Sequence, residues 1–483
     1  MNLFTNLESL SLYLPELMAV FLILAIFLSE SLPKYRHLTF NISIIGLLLI
    51  AFTMFVVPSS NKLLFQGMIV NDSFSYYFKY LIILSTFSVI LVSKKDNSVI
   101  NEVKGEYYGM LVIIMLGMFT MVSAKNLLMI YLSIELVSIP SYIIAGISKN
   151  DKESNEASLK YVIYGSFASG IMLFGLSFLY GLTGSTDINF IANSLIINDN
   201  PLTLYISILF ILVGFGYKIS MVPFHYWTPD VYQGAPITVT AFLSVAPKIA
   251  GFAIMIRFFY TLFAGSSLDV NWPELIAIFS ALTMTIGNIL ALKQVNIKRL
   301  LAYSSISHVG YMLLAFSIVG PQSISSIMFY LFFYLFMNLS AFYMAMYMSK
   351  AYNANNIDDW NGIASKAPIL SFFMVLSLAS LAGLPPTSGF VAKVYILRNI
   401  FIGEQFMWLA VVAIINTVIS LYYYFSIVKA MYFMENPDLE AKKSDKFLFW
   451  SIIIFSSQNI LFYLYWSRLW DYLDSLVSNM GII

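Results

Sequence analysis

The sequence contains no cysteine. That excludes a disulfide framework, a thiolate metal site and cysteine ligation of an iron–sulfur cluster. Charge is scarce as well. Asp, Glu, Lys and Arg make up 11% of the residues, against about 25% in an ordinary globular domain. A soluble monomer so poor in charge would expose too much apolar surface to stay dissolved. The net charge is +1 with no basic block, which removes the electrostatic footprint of a nucleic-acid binder. Histidine occurs only as His37, His225 and His308, at spacings that do not suggest haem ligation. The chain has no GxGxxG and no Walker loop, so any electron transfer or nucleotide hydrolysis that drives it is expected on other chains.

What is present is apolar length: 59% of the 483 residues are hydrophobic. A helix needs about 20 apolar residues to cross the hydrocarbon core. The sequence predicts fourteen spans, at 12–31, 38–57, 72–93, 107–124, 126–147, 158–182, 202–224, 236–262, 272–292, 299–319, 323–349, 367–398, 406–433 and 447–467. The expected fold is an all-α polytopic membrane protein with little chain left for a soluble domain. The first span lacks the basic flank and cleavage site of a signal peptide and carries Glu16, so it reads as a retained helix.

Lys and Arg alternate with the connections. Of the 26, sixteen fall in odd-numbered loops, among them Lys34, Arg36, Lys94, Lys95, Lys149, Lys298, Arg299, Lys442 and Lys443, and four in the even loops and tails. The positive-inside rule then puts the odd loops in the cytoplasm or matrix and both termini on the periplasmic or intermembrane face.

Two spans contain helix breakers. The seventh runs on into GFGYKISMVPFHYWTPDVYQGAP, with Pro223, Pro229 and Pro236; the twelfth contains SLAGLPPTSGFVAK, with Pro385 and Pro386. Carbonyls freed by proline survive in a membrane only against protein or a wet cavity. A packed kink would explain either break alone. Together they say more, because each lies near an intramembrane lysine, Lys218 or Lys393, and the two spans, five apart, run in opposite directions. Inverted repeats have that pattern, and transporters place their sites at such discontinuous helices.

Ionisable groups at mid-bilayer are costly and mark function by default. Glu135 (MIYLSIELVSIPSYII) and Lys248 (FLSVAPKIAGF) lie mid-span, and Lys218 and Lys393 flank the breaks. A structural ion pair is the competing reading for each. A buried lysine balanced against a carboxylate can change protonation when its partner moves, which is the chemistry of a proton pump. His308 is deep enough either to hydrogen-bond or to relay a proton. His225 and Asp230 sit at the first break, His225 to hold irregular backbone and Asp230 to cap a half-helix. Lys79 is expected to snorkel, Arg257 and Lys429 to anchor, and Glu16 and Glu30 to lie at the interface. The many aromatics are expected at lipid-facing and belt positions.

The runs MIYLSIELVSIPSYIIAG, SNEASLKYVIYGSFASG, VPFHYWTPDVYQGAPITVTAFLSVAPK, KRLLAYSSISHVGYM and LAGLPPTSGFVAK, within residues 105–435, resemble the antiporter-like subunits of respiratory complex I. Within that family the resemblance is to the subunit N branch, called subunit 2 in mitochondria. The M type carries Glu where Lys393 stands, and the L type has a long C-terminal lateral helix not seen in this sequence.

The resemblance implies two inverted five-helix repeats, 105–265 (spans four to eight) and 266–435 (nine to thirteen). A three-helix segment, 1–104, precedes them, and a C-terminal helix and tail, 436–483, follow. It implies Glu135 paired with Lys218, Lys248 as the central connecting residue and Lys393 as the outer exchange residue. His308 matches a position where a sister subunit carries Lys. The implied function is proton translocation in the membrane arm of a translocase, an NADH:quinone oxidoreductase. NAD(H) or another donor, flavin, iron–sulfur clusters and quinone would then bind partner subunits, and none would bind this chain. The implied neighbours are other antiporter-like and small membrane subunits, a peripheral redox arm and lipid, in a bacterial plasma membrane more than a mitochondrial inner membrane. The alternatives are a subunit of an Mrp-type cation/proton antiporter, and a scaffold whose charges only hold helices together.

Overall fold

The computed structural model describes residues 6–94, 96, 99, 103–195, 201–263, 271–436 and 445–478. Of the loop cations counted above, Lys95, Lys442 and Lys443 lie outside these residues.

Nineteen α-helices occur among the described residues. The N-terminal part holds α1 (Asn6–Leu12), α2 (Leu14–Ser31), α3 (Thr39–Val56), α4 (Ser73–Ser93), α5 (Lys104–Ser123), α6 (Leu127–Ala145), α7 (Lys152–Thr183), α8 (Ile188–Leu195) and α9 (Pro201–Ile219). Then come α10 (Trp227–Gly234), α11 (Ile237–Leu262), α12 (Trp272–Ala291), α13 (Ile297–Ser317) and α14 (Pro321–Tyr352). The chain continues with α15 (Ile363–Lys366), α16 (Pro368–Ala382), α17 (Ser388–Gly403), α18 (Met407–Phe433) and α19 (Lys446–Ser478). Thirteen of these are long and apolar enough to cross a membrane, and α16 is a shorter apolar helix of 15 residues. Each of the fourteen expected spans has its helix or broken helix.

Local chemistry sets the ends. The carboxylate of Asp72 accepts from Ser75 N–H while Ser75 Oγ faces the Asp72 backbone, a capping box that starts α4. Asn126, Asp151, Asn271 and Asn296 cap α6, α7, α12 and α13 through their side chains. Gly383, at φ +80°, ends α16 in the left-handed region open to glycine. One small feature was not expected, an antiparallel hairpin of β1 (Lys62–Leu64) and β2 (Ile69–Asn71), with Leu63 opposite Val70. Strands of three residues are too short to leave an alternating pattern.

The chain forms two compact units. One comprises Met1–Ile219, Ala246–Val270 and Ser478–Ile483; the other comprises Ser220–Val245 and Asn271–Val477. In the first, α2 packs on α3 and α5, α5 on α6, and α7 on α9. In the second, α12 packs along α13. Small residues permit that approach: a Cβ at Gly310 would meet the Met284 backbone nitrogen at 2.5 Å.

Two expectations about charge need correction. Lys79 does not snorkel: its Nζ lies 2.5 Å from Glu16 Oε1, with both side chains buried. Glu30, at the end of α2, is buried and lies against the half-exposed Arg36 at 2.7 Å. Arg257 is no anchor, because its guanidinium is buried and grips Asp72 through two contacts of 2.8 and 2.9 Å. An unpaired charge is costly to bury, and Lys79 and Arg257 have each drawn a counter-charge from a distant part of the chain.

Candidate functional site: helix breaks and buried ionisable groups

Both expected breaks are present. The seventh span stops at Ile219, and residues 220–226 form turns before α10. Ser220 adopts φ +68°. The irregular backbone is held by side chains of its own unit: Val222 N–H donates to Thr283 Oγ1 (3.1 Å), and Thr228 Oγ1 donates to Ser220 Oγ (2.8 Å). This is how a break persists away from water. The twelfth span stops at Ala382, and residues 383–387 lead into α17. Pro223, Pro385 and Pro386 all lie inside the breaks.

His225 is buried beside Pro223, its ring tilted on Tyr226 at 4.6 Å. Asp230 does not cap. It lies within the first turn of α10, where its carboxylate accepts from Arg299 Nη1 at 2.6 Å. Arg299 also donates to Gln233, and Lys298 donates to the Ala235 carbonyl at 3.1 Å. The start of α13 therefore clamps the whole half-helix. Asp230 stands four residues into α10, too late to reach the first free N–H groups.

In the first unit, Lys218 occupies the last turn of α9 and is 3% exposed. Its ammonium donates to Ser138 Oγ at 2.9 Å. Glu135 lies one turn before Ser138 on α6, and its charge acts on Lys218. The resemblance implied Glu135 paired with Lys218. The two stand close enough for their charges to interact, while the ammonium itself donates to a hydroxyl and Glu135 Oε1 is buried with no hydrogen-bond partner. Lys248 is buried at mid-α11. One turn along, a Cβ at Gly251 would lie 2.6 Å from Ile219 and 3.8 Å from Lys218 Cγ. Thus α11 abuts the last turn of α9, and Glu135, Lys218 and Lys248 belong to one neighbourhood of this unit.

In the second unit, Lys393 projects from α17 back to the break. Its ammonium donates to the Ala382 carbonyl at 2.9 Å and lies 4.6 Å from the centre of the Tyr311 ring. Ala382 is the last residue of α16, so the cation sits on the carbonyl end of a half-helix, where the helix dipole favours it. His308 is fully engaged: Nδ1 lies 2.6 Å from Tyr330 Oη and Nε2 3.2 Å from Tyr424 Oη. Tyr334 Oη donates to the Ser244 carbonyl, and Asn338 bridges Tyr334 and Ser244 Oγ. The aromatic count had pointed to lipid contact, yet Tyr311, Tyr330, Tyr334, Tyr423 and Tyr424 are buried. A residue count hides this, because tyrosine serves a belt and a buried network equally well. Among the described residues no group of three or more His, Asp or Glu could hold a metal ion.

Residues 124–420 match the family described as NADH:quinone oxidoreductase/Mrp antiporter, transmembrane. The chain is similar to NADH-quinone oxidoreductase subunit N of Anaeromyxobacter sp., 39% identical over 456 residues, covering 88% of each chain. It is similar to subunit N 2 of Sorangium cellulosum, 37% identical over 498 residues, covering 98% of each. Among solved structures it resembles a chain of respiratory complex I from Thermus thermophilus, with TM-score 0.81, 26% identity, and 95% of this chain and 99% of that one covered. It shares its fold with a chain of the Mrp complex from Dietzia sp., with TM-score 0.83, 20% identity, and 98% and 97% covered.

Proposed function

The chain belongs to the NADH:quinone oxidoreductase/Mrp antiporter membrane family, and we infer that it moves protons through Glu135, Lys218, Lys248, Lys393 and His308 as the subunit N-type member of a complex I. The observation that carries this reading is the pairing of each helix break with a buried lysine. Lys218 lies in the last turn before the first break, and Lys393 sits on the carbonyl end left by the second. A lysine at such a place has a hydroxyl or carbonyl to hold its proton and irregular backbone to admit water. Ser138 gives Lys218 a neutral partner that survives loss of the proton, and Glu135, one turn away, favours its return. Lys248 would connect the halves and Lys393 would exchange with the outer face. The inverted repeats 105–265 and 266–435 supply the two half-paths.

In this reading the chain carries no redox centre. NAD(H) or another donor, flavin, iron–sulfur clusters and quinone bind partner subunits, and the whole assembly is the translocase. Neighbouring antiporter-like and small membrane subunits flank this chain in a bacterial plasma membrane. Complex isolated through a tag on this chain should bring flavin- and iron–sulfur-bearing subunits and donor-driven quinone reduction. Recovery of antiporter subunits alone, without a redox chromophore, would replace this reading with the Mrp-type one.

Topology gives a separate expectation. Fourteen crossings put both termini on one face, and the Lys/Arg bias makes that face periplasmic. Tags at the two ends should be cleaved by protease in right-side-out vesicles and protected in inverted ones. Opposite behaviour of the two tags would remove a crossing from the fold.

A further inference from the structure

The buried hydroxyls around His308 have no part in the function argued so far. Ser304, His308 and Tyr311 lie at i, i+4 and i+7 on α13, on one face of the helix over about 10 Å of its length. Each meets a partner from another helix of the same unit. Tyr311 lies under the Lys393 ammonium. His308 touches Tyr330 of α14 and Tyr424 of α18, and Ser304 Oγ is 2.5 Å from the same Tyr424 hydroxyl. All of these groups are buried. The face thus leads from Lys393 toward the end of α13 that carries Lys298 and Arg299.

The partners of the imidazole decide what it can do. A backbone carbonyl on one ring nitrogen would fix the tautomer, since a carbonyl only accepts. Here both nitrogens face hydroxyls, each of which donates or accepts. The ring can therefore gain a proton at one nitrogen and lose one at the other without moving. We propose that Tyr330 and Tyr424 are proton-relay residues that carry a proton between the Lys393 side of α13 and Ser304 through both nitrogens of His308.

The hand-off conserves protons at every group. Tyr330 takes a proton at its oxygen and gives its own to Nδ1, making an imidazolium. The imidazolium releases its Nε2 proton to Tyr424 Oη, which passes its former proton to Ser304 Oγ. Ser304 releases one proton onward. One proton enters and one leaves, no tyrosinate forms, and the ring is left in its other tautomer. Reversal of the hydroxyls and the ring resets the path.

The proposal rests on the reading of this chain as a proton-translocating subunit, and its test separates the two. Proton uptake per assembled complex is measured in inverted vesicles for wild type, Tyr330→Phe, Tyr424→Phe, Ser304→Ala and Lys218→Arg. Phe keeps the ring volume and removes only the hydroxyl. Uptake in both Phe variants should fall by on the order of tenfold or more, as for loss of a positioned acid or base. The solvent deuterium isotope effect should rise, because a proton hand-off becomes rate-limiting. A merely structural role would lower the amount of complex and leave turnover per complex and its isotope effect unchanged; that result overturns the proposal. If a Phe variant fails to assemble, Ser304→Ala, which interrupts the same path with a smaller change, decides in its place. Normal uptake in the Phe variants with impaired Lys218→Arg would sink the tyrosine relay alone. Normal uptake in Lys218→Arg as well would sink the proton reading and the relay with it.

Discussion

Replacement of Arg257 by Ala should destabilise the subunit by about 3–5 kcal/mol, the usual cost of leaving one partner of a buried ion pair uncompensated. The guanidinium makes two contacts to Asp72 and donates through Nε to the Val122 carbonyl at 3.0 Å, while its Cζ lies 5.0 Å from the centre of the Phe74 ring. One side chain thus ties α11 to the start of α4 and the end of α5. Arg257 stands on the same helix as Lys248, nine residues further along, so the clamp also fixes the position of Lys248 along α11. Arg257→Lys keeps the charge but cannot reproduce the planar fork, and should lose part of the same stability. Because Asp72 and Arg257 act as a unit, Asp72→Ala/Arg257→Ala should cost less than the two single losses added together. The thermal midpoint of the detergent-solubilised complex, with the fraction of this subunit retained, reports all three. An unchanged midpoint in Arg257→Ala would mean that the pair contributes nothing.

Lys218→Arg is expected to stop most proton movement while the complex still assembles. The positive charge stays near Glu135 and can still meet Ser138, so helix packing is preserved. What is lost is release, because a guanidinium hardly ever gives up its proton. Lys218→Ala removes the titrating group altogether and leaves Glu135, whose Oε1 already lacks a hydrogen bond, without its nearby cation. Both variants should lower uptake by on the order of tenfold or more, for different reasons: Ala by absence of the carrier, Arg by a carrier that never unloads.

The crossings and the two breaks were legible in the sequence because hydropathy and proline are local signals. Glu135, Lys218, Lys248 and Lys393 stood out for a similar reason: each is a lone charge in an apolar run. Their partners were not legible. Lys79 and Glu16 are 63 positions apart, and Arg257 and Asp72 are 185 apart, so each charge alone looked like a residue reaching for the membrane surface. The contact of Lys218 with Ser138 was missed because charges were weighed and hydroxyls were not. Serine in a membrane helix commonly bonds its own backbone, as Ser138 also does with the Ile134 carbonyl at 2.7 Å, and nothing in the sequence shows that it accepts at the same time. The tyrosines around His308 come from α14 and α18, and only the fold brings them to α13.

The relay claim is tested most directly by proton uptake per electron in inverted vesicles carrying the Lys218→Arg complex, compared with wild type at equal complex content. If Lys218 works by releasing its proton, the Arg complex assembles and uptake per electron falls sharply. If uptake per electron equals that of wild type, Lys218 serves only as a fixed positive charge, and the relay is contradicted in favour of a structural ion pair.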